Sequence, residues 1–113
     1  MIEKEVLNYL KSKGFTVFME MPKNTAKPFL LVEKTGSGRA NYLDSALIAI
    51  QSYAPRLAQA AELNERAIKA MMSMPDVNPA ICSVKRNSDY NFSDTENKIY
   101  RYQAVFDIYY YGG

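Results

Sequence analysis

IYRYQAVFDIYYY, residues 99–111, is the stretch on which the fold turns. Tyr100, Tyr102, Ala104, Phe106, Ile108 and Tyr110 fall on one side of a two-residue period. Arg101, Gln103, Val105, Asp107 and Tyr109 fall on the other. Alternation sustained over about six pairs is the signature of a β-strand with unlike faces. The strand Ile99–Tyr111 therefore predicts a sheet whose apolar face packs on something. The rest of the chain must supply its neighbours and that cover.

Upstream lies RNSDYNFSDTEN (86–97), rich in Asn, Asp and Ser, and before it a short apolar run from Ala80 to about Arg86. The two runs read as strands joined by a polar connection longer than a tight turn needs. Further back, Pro55 is a favoured first-turn residue of a helix that runs to about Met74. Leu57, Ala60, Leu63/Asn64, Ala67, Met71 and Met74 form its inner stripe, with Met71, Met72 and Met74 as core filler at its end. Glu62 with Arg66 and Glu65 with Lys69 have the favourable i,i+4 order on the outer face, and Pro75-Asp76 closes the helix. Leu43–Tyr53 is apolar on both faces, as in a central strand covered on both sides; by pattern alone a buried helix segment fits it as well.

The N-terminal third reads as a helix over 2–13, with Ile2, Val6, Leu7 and Leu10 on one stripe and Gly14 as its stop. A strand follows over Phe15–Met21. Then come a proline-bounded loop over Met21–Pro28, a strand over Phe29–Gly36 and a turn over Gly36–Gly38. The order is α-β-β-β-α-β-β. It predicts a single α+β domain over 1–113, a mainly antiparallel sheet with two helices packed on it.

The composition bounds the chemistry. The chain has 113 residues, 48% hydrophobic and 23% charged, with a net charge of +2, too mild to argue for nucleic acid by itself. A chain of this size buries roughly 65% of its unfolded surface, enough for one core. Histidine is absent, which removes the commonest general base and metal ligand. Cys82 is the single cysteine, so no intrachain disulfide forms and no zinc site is expected. On a strand without a histidine partner, Cys82 reads as a small buried hydrophobe. The N-terminus lacks the apolar run of a signal peptide, and no window reaches the ~20 apolar residues of a membrane span. The expectation is a soluble, cytoplasmic protein with no membrane partner.

The candidate sites are weak for catalysis. Ser52-Tyr53-Ala54-Pro55 joins a strand to a helix, but it has no glycine and its proline removes an N–H that an anion would need. TGSGR (35–39) lacks the Gly-Lys-Ser/Thr of a phosphate loop. It reads as a flexible connection whose Lys34 and Arg39 face solvent or another chain. Asp89 and Asp94 lie in the polar connection as solvated acids. Asp107 is expected to pair across the sheet with Arg or Lys, or to face a neighbouring subunit. Neither a catalytic set nor a cofactor is expected. Tyrosine stands out instead. Tyr109, Tyr110 and Tyr111 cannot share one face, so a tyrosine face is left for solvent or a partner. Interface contact, plain strand propensity and stacking on bases are the three readings.

PFLLVEKTGSG (28–38), ALIAIQSYAPRLAQAAELNERAIKAM (46–71), NFSDTEN (91–97) and KIYRYQAVFDIYY (98–110), in this order, resemble the small tail terminator or tail completion proteins of long-tailed phages and prophages. The turn here is Gly-Ser-Gly where the family favours Gly-Gly, and Tyr53 stands where Trp is frequent. The resemblance implies a structural protein that forms a ring, usually of six subunits, on the head-proximal end of the tail tube. The ring would stop tube growth and offer a surface to the head–tail connector. Its partners would be itself, the tail tube protein and the connector, with DNA only as passing cargo. Its location would be the bacterial cytoplasm during assembly and then the virion tail. On this reading Arg39, Tyr42, Asp89, Tyr90, Phe92, Asp94, Arg101, Tyr109 and Tyr111 make subunit or partner contacts. A neck or connector protein is the near alternative, and a small nucleic-acid-binding module the distant one. An enzyme is the weakest.

Overall fold

The computed structural model describes residues 1–24, 27–40 and 42–112. Part of the expected loop over 21–28, and residue 41, lie outside the described residues. The elements in order are α1 (Ile2–Ser12), β1 (Val17–Phe18), β2 (Phe29–Ala40), β3 (Leu43–Ala54), α2 (Leu57–Met72), α3 (Met74–Val77), β4 (Ile81–Asn91) and β5 (Tyr100–Tyr110). The five strands form one sheet in the order β1-β2-β3-β5-β4. Only the β1–β2 pair is parallel. The fold is the expected α+β sandwich of helices on a mainly antiparallel sheet.

The strand that decided the reading sits inside this sheet. β5 pairs with β3 on one side and β4 on the other. Ala104, Phe106 and Ile108 are fully buried, with Ile48 and Ile50 beside them on β3 and Val32 beyond on β2. Both helices cover this one face. α1 contributes Ile2, Val6, Tyr9 and Leu10 to the core, and α2 contributes Leu63, Ala67, Ile68 and Met71. The Tyr9 hydroxyl donates to the Ala70 carbonyl at 2.6 Å and ties the helices together. Burial of that hydroxyl, and then the carboxylate of Asp76, raise its pKa.

β3 is central, but helices cover only one of its faces. Ala49, Gln51 and Tyr53 on the reverse face are buried by side chains of the sheet itself. The apolar character of that face therefore reflects packing within the layer rather than a second layer.

Several boundaries differ from expectation. The strand over 15–21 shrinks to Val17–Phe18, the two residues that pair in register with β2, at Leu30 and Leu31. Gly36–Gly38 is not a turn but part of β2, which continues to Ala40 past a bulge between Lys34 and Gly36. Added Cβ atoms at Gly36 and Gly38 would approach Leu47 at 3.3 Å and Ser45 at 3.0 Å, so glycine lets the strands lie close. The reversal lies between Ala40 and Leu43, the last pair of the β2–β3 ladder. The first half of the connection over 86–97 is likewise strand, since β4 runs to Asn91.

α2 begins at Leu57, two residues after Pro55, with Arg56 extended at its N-cap. Leu57 is exposed, and so is Met72. The helix breaks at Ser73, and Pro75 lies inside the separate short turn α3, where proline suits the first positions. Arg66 does not close on Glu62; its guanidinium lies 5.3 Å from the Phe15 ring centre. Among the described residues no helix is long and apolar enough to cross a membrane.

Candidate functional site

Two hairpins project from opposite ends of an elongated molecule, 45 Å by 24 Å by 23 Å. The β2–β3 hairpin ends beyond Asp44, which faces Tyr110. The β4–β5 hairpin ends beyond Asn91, which faces Tyr102 at the other end of β5. Of the nine side chains singled out by sequence, six belong to two hairpin clusters, and Asp89, Tyr109 and Tyr111 stand apart from them.

Arg39 and Tyr42 belong to the first hairpin. Arg39 Nη1 bonds Asp44 Oδ1 at 2.9 Å across the base of the tip. Tyr42 sits at the tip with φ 67°, a left-handed conformation that a bulky residue adopts at a cost. Its side chain is 88% exposed, so packing among the described residues compensates little.

Tyr90, Phe92, Asp94 and Arg101 gather at the second hairpin. Arg101 lies with its guanidinium carbon 4.5 Å from the Phe92 ring centre, and its Nε donates to the Phe92 carbonyl at 2.8 Å. Tyr90 meets Phe92 edge-on, with ring centres 5.9 Å apart. Asp94 caps the turn: its carboxylate accepts from the Asn97 side chain at 2.7 Å and the Asn97 amide at 3.3 Å. The Asn97 hydrogen bonds hold its carboxyl below the usual carboxylate range.

Asp89 is not a loop acid. It stands on β4, where the Asn64 amide of α2 donates to its Oδ1 at 2.7 Å and Arg86 lies 3.9 Å from Oδ2. Asn64 is 1% exposed, which explains why an asparagine interrupts the apolar stripe of α2.

Tyr109 and Tyr111 are separate from both clusters. Tyr109 is half-buried on the reverse face, where with Leu47 and Asp107 it lines an open concavity of about 280 Å³. Tyr111 is exposed past the end of β5, while Tyr110 between them packs on the core. Burial, and then the carboxylates of Asp44, Glu3 and Glu5, raise the Tyr110 pKa. Asp107 faces Lys85 across the ladder, yet its hydrogen bond comes from the Asn87 amide at 3.1 Å. Cys82 is exposed on β4 beside a bulge, not buried as expected, because the extra residue there turns it out of the ladder.

The sequence reading missed the network that joins the second cluster to the sheet. Arg101 Nη1 donates to the Tyr53 hydroxyl at 3.3 Å, and Tyr53 donates to Gln51 Oε1 at 2.9 Å. Gln51 Nε2 donates to Gln103 Oε1 at 2.9 Å, and Gln103 Nε2 donates to the Tyr90 hydroxyl. Phe29 stacks on Tyr53 with ring centres 4.8 Å apart, and Phe18 meets Phe29 edge-on. Period two already placed Gln51 with Tyr53 and Arg101 with Gln103. What it lacked was the register that sets Tyr53 against Arg101 and Gln51 against Gln103.

The network crosses the uncovered face of the sheet from β1 to β4. Its members hold and orient one another. Among the described residues no group of three or more His, Cys, Asp or Glu side chains is placed to hold a metal ion. A scan against protein-family models finds no match to this chain, and a search of curated proteins finds none either.

Proposed function

We propose that this protein is a structural component of a phage or prophage tail, a ring of copies, six by the resemblance, that caps the head-proximal end of the tail tube and meets the head–tail connector. The observation that carries the reading is the pair of opposed hairpins. One presents Tyr42 in an unfavourable conformation with its ring in solvent. The other presents Phe92 and Tyr90, both about two-fifths exposed, on an Arg101 platform. Aromatic and arginine side chains dominate the energetics of protein interfaces. A subunit that must meet neighbours, a tube below and a connector above needs such groups at separate places.

The nucleic-acid reading draws less support, because a net charge of +2 is mild for a surface that tracks a phosphate backbone. Phe29 and Tyr53 are buried against each other and offer no free ring face to a base. The neck-protein reading differs only in which partner each hairpin meets. The test is native mass spectrometry over a range of concentrations with negative-stain imaging, followed by binding to purified tail tubes. Closed rings that sit on tube ends are the expected result. A chain that stays monomeric and ignores tube ends, yet is retained on DNA with a salt-dependent titration, overturns the proposal.

A further inference from the structure

The sheet ends in two bare edges. β1 covers β2 only at Leu30 and Leu31, so the stretch from Val32 to Ala40 has no strand beside it among the described residues. β4 is the other terminal strand. Unpaired edges invite a further strand. These two edges are matched in direction, length and irregularity. β2 and β4 run in opposite directions, because three antiparallel pairings separate them. Copies related by rotation about an axis along the strands therefore bring β4 of one against β2 of the next in antiparallel fashion.

We infer that β4 of one copy adds to β2 of a second copy, with Ser83–Asn91 running against Val32–Ala40. This rests on the ring reading and names the surface that would close it. In this register Asp89 faces Lys34 of the next copy and Tyr90 faces its Glu33. The bulge of β4 between Arg86 and Ser88 falls beside the bulge of β2 between Lys34 and Gly36, so the pairing continues past both without a net offset. Residues that face each other also share a face of the extended sheet. Asp89 and Lys34 lie on the helix-covered side, and Tyr90 and Glu33 on the open side.

The chemistry agrees. Among the described residues the one ion-pair partner of Asp89 is Arg86, at a loose 3.9 Å from Oδ2. Among the described residues Lys34 and Glu33 make no ion pair. The hydrogen-bond chain across the open face runs from Arg101 to Tyr90, where the hydroxyl accepts from Gln103. Tyr90 keeps its own proton to donate, and the Glu33 carboxylate is the acceptor it would meet. Gly36 and Gly38 of β2 leave room opposite for Asn87 and Lys85. The alternative register that pairs Lys85 with Glu33 would drive β4 into Leu30 and Leu31, which β1 already occupies.

The test is disulfide trapping between two chains. In a Cys82→Ser background, one chain carries Arg86→Cys and the other Ser37→Cys. These positions face each other in the register, and directly opposed strand residues lie within disulfide reach. Under mild oxidation the mixture should give a covalent heterodimer several-fold faster than a control mixture of Lys85→Cys with Ser37→Cys, whose side chains point to opposite faces. Equal rates overturn the inference. So does Asn87→Cys alone trapping itself as the main product, which would mean that β4 meets β4 about a two-fold axis. Rings by native mass spectrometry without matched trapping would sink the edge pairing and leave the tail reading standing. Matched trapping by a protein that does not cap tubes would do the reverse.

Discussion

Tyr53 and Arg101 face each other across β3 and β5, and the Tyr53 hydroxyl both accepts from Arg101 and donates to Gln51. One arginine thereby links three things: the stacked Phe29–Tyr53 pair, the polar chain to Tyr90, and the carbonyl and ring of Phe92. The second hairpin is thus oriented from the centre of the sheet. Arg101→Ala should lower stability by about 2 kcal/mol, the sum of a charge-assisted hydrogen bond and a cation–π contact. Arg101→Lys should recover little of it, since an ammonium cannot bond the carbonyl through a planar edge while lying on the ring. Urea unfolding measures the loss. Amide exchange should show it concentrated in residues 91–99; a uniform loss would contradict the linkage.

Tyr42 makes the opposite prediction. It holds φ 67° with its ring in solvent, so glycine at this position should relieve strain. Tyr42→Gly is expected to stabilise the isolated chain by about 1 kcal/mol. If the tip is a contact in the ring or on the tube, the same variant should weaken assembly. Thermal unfolding and sedimentation on one preparation read both effects. A gain in stability with unchanged assembly would remove Tyr42 from the interface.

What the sequence disclosed and what it hid follow from the range of the interactions involved. The alternation along β5 and the stripe of α1 are local signals, and the structure has both. Tyr9 was missed in that stripe because its burial depends on the Ala70 carbonyl, 61 residues away. Gly36–Gly38 looked like a turn because glycine usually marks one, yet here its small size serves close approach to Leu47 and Ser45. Asp89 looked solvated because its partner, Asn64, is on another element. The Tyr53–Arg101 cluster needed a strand register, and register is set by pairing across the sheet rather than by either strand alone.

Asp94 gives a pH signature. Its carboxyl is held below the ordinary value of 3.8, first by the Asn97 side chain and then by its amide. A group whose pKa is depressed by folding stabilises above its unfolded value and loses that contribution as pH falls through the folded one. The turn over 94–99 should therefore loosen below about pH 4. Chemical shifts of Asn97 and Ile99 followed from pH 6 to 2 measure it. Asp94→Asn should abolish the acid transition at these amides. Persistence of the transition in that variant would assign it to another carboxyl.

The Asn64–Asp89 hydrogen bond fixes the edge strand to α2, and its chemistry predicts what one atom would do. Asn64 is almost fully buried, its Nδ2 donates to Asp89, and its Oδ1 has no hydrogen-bond partner among the described residues. Asn64→Asp replaces the donor with a second carboxylate at hydrogen-bonding distance from the first. Two such groups cannot both ionise in a buried site, so the new acid should titrate well above its ordinary range. A pKa raised by folding leaves stability intact at low pH and removes it as pH rises through the folded value. The variant should lose about 3 kcal/mol at pH 7 and recover most of it, relative to the parent chain, near pH 4. Urea midpoints of both chains across pH 4–8 test this. A penalty that does not change with pH would mean that water reaches the site and that Asp89 is not held by α2.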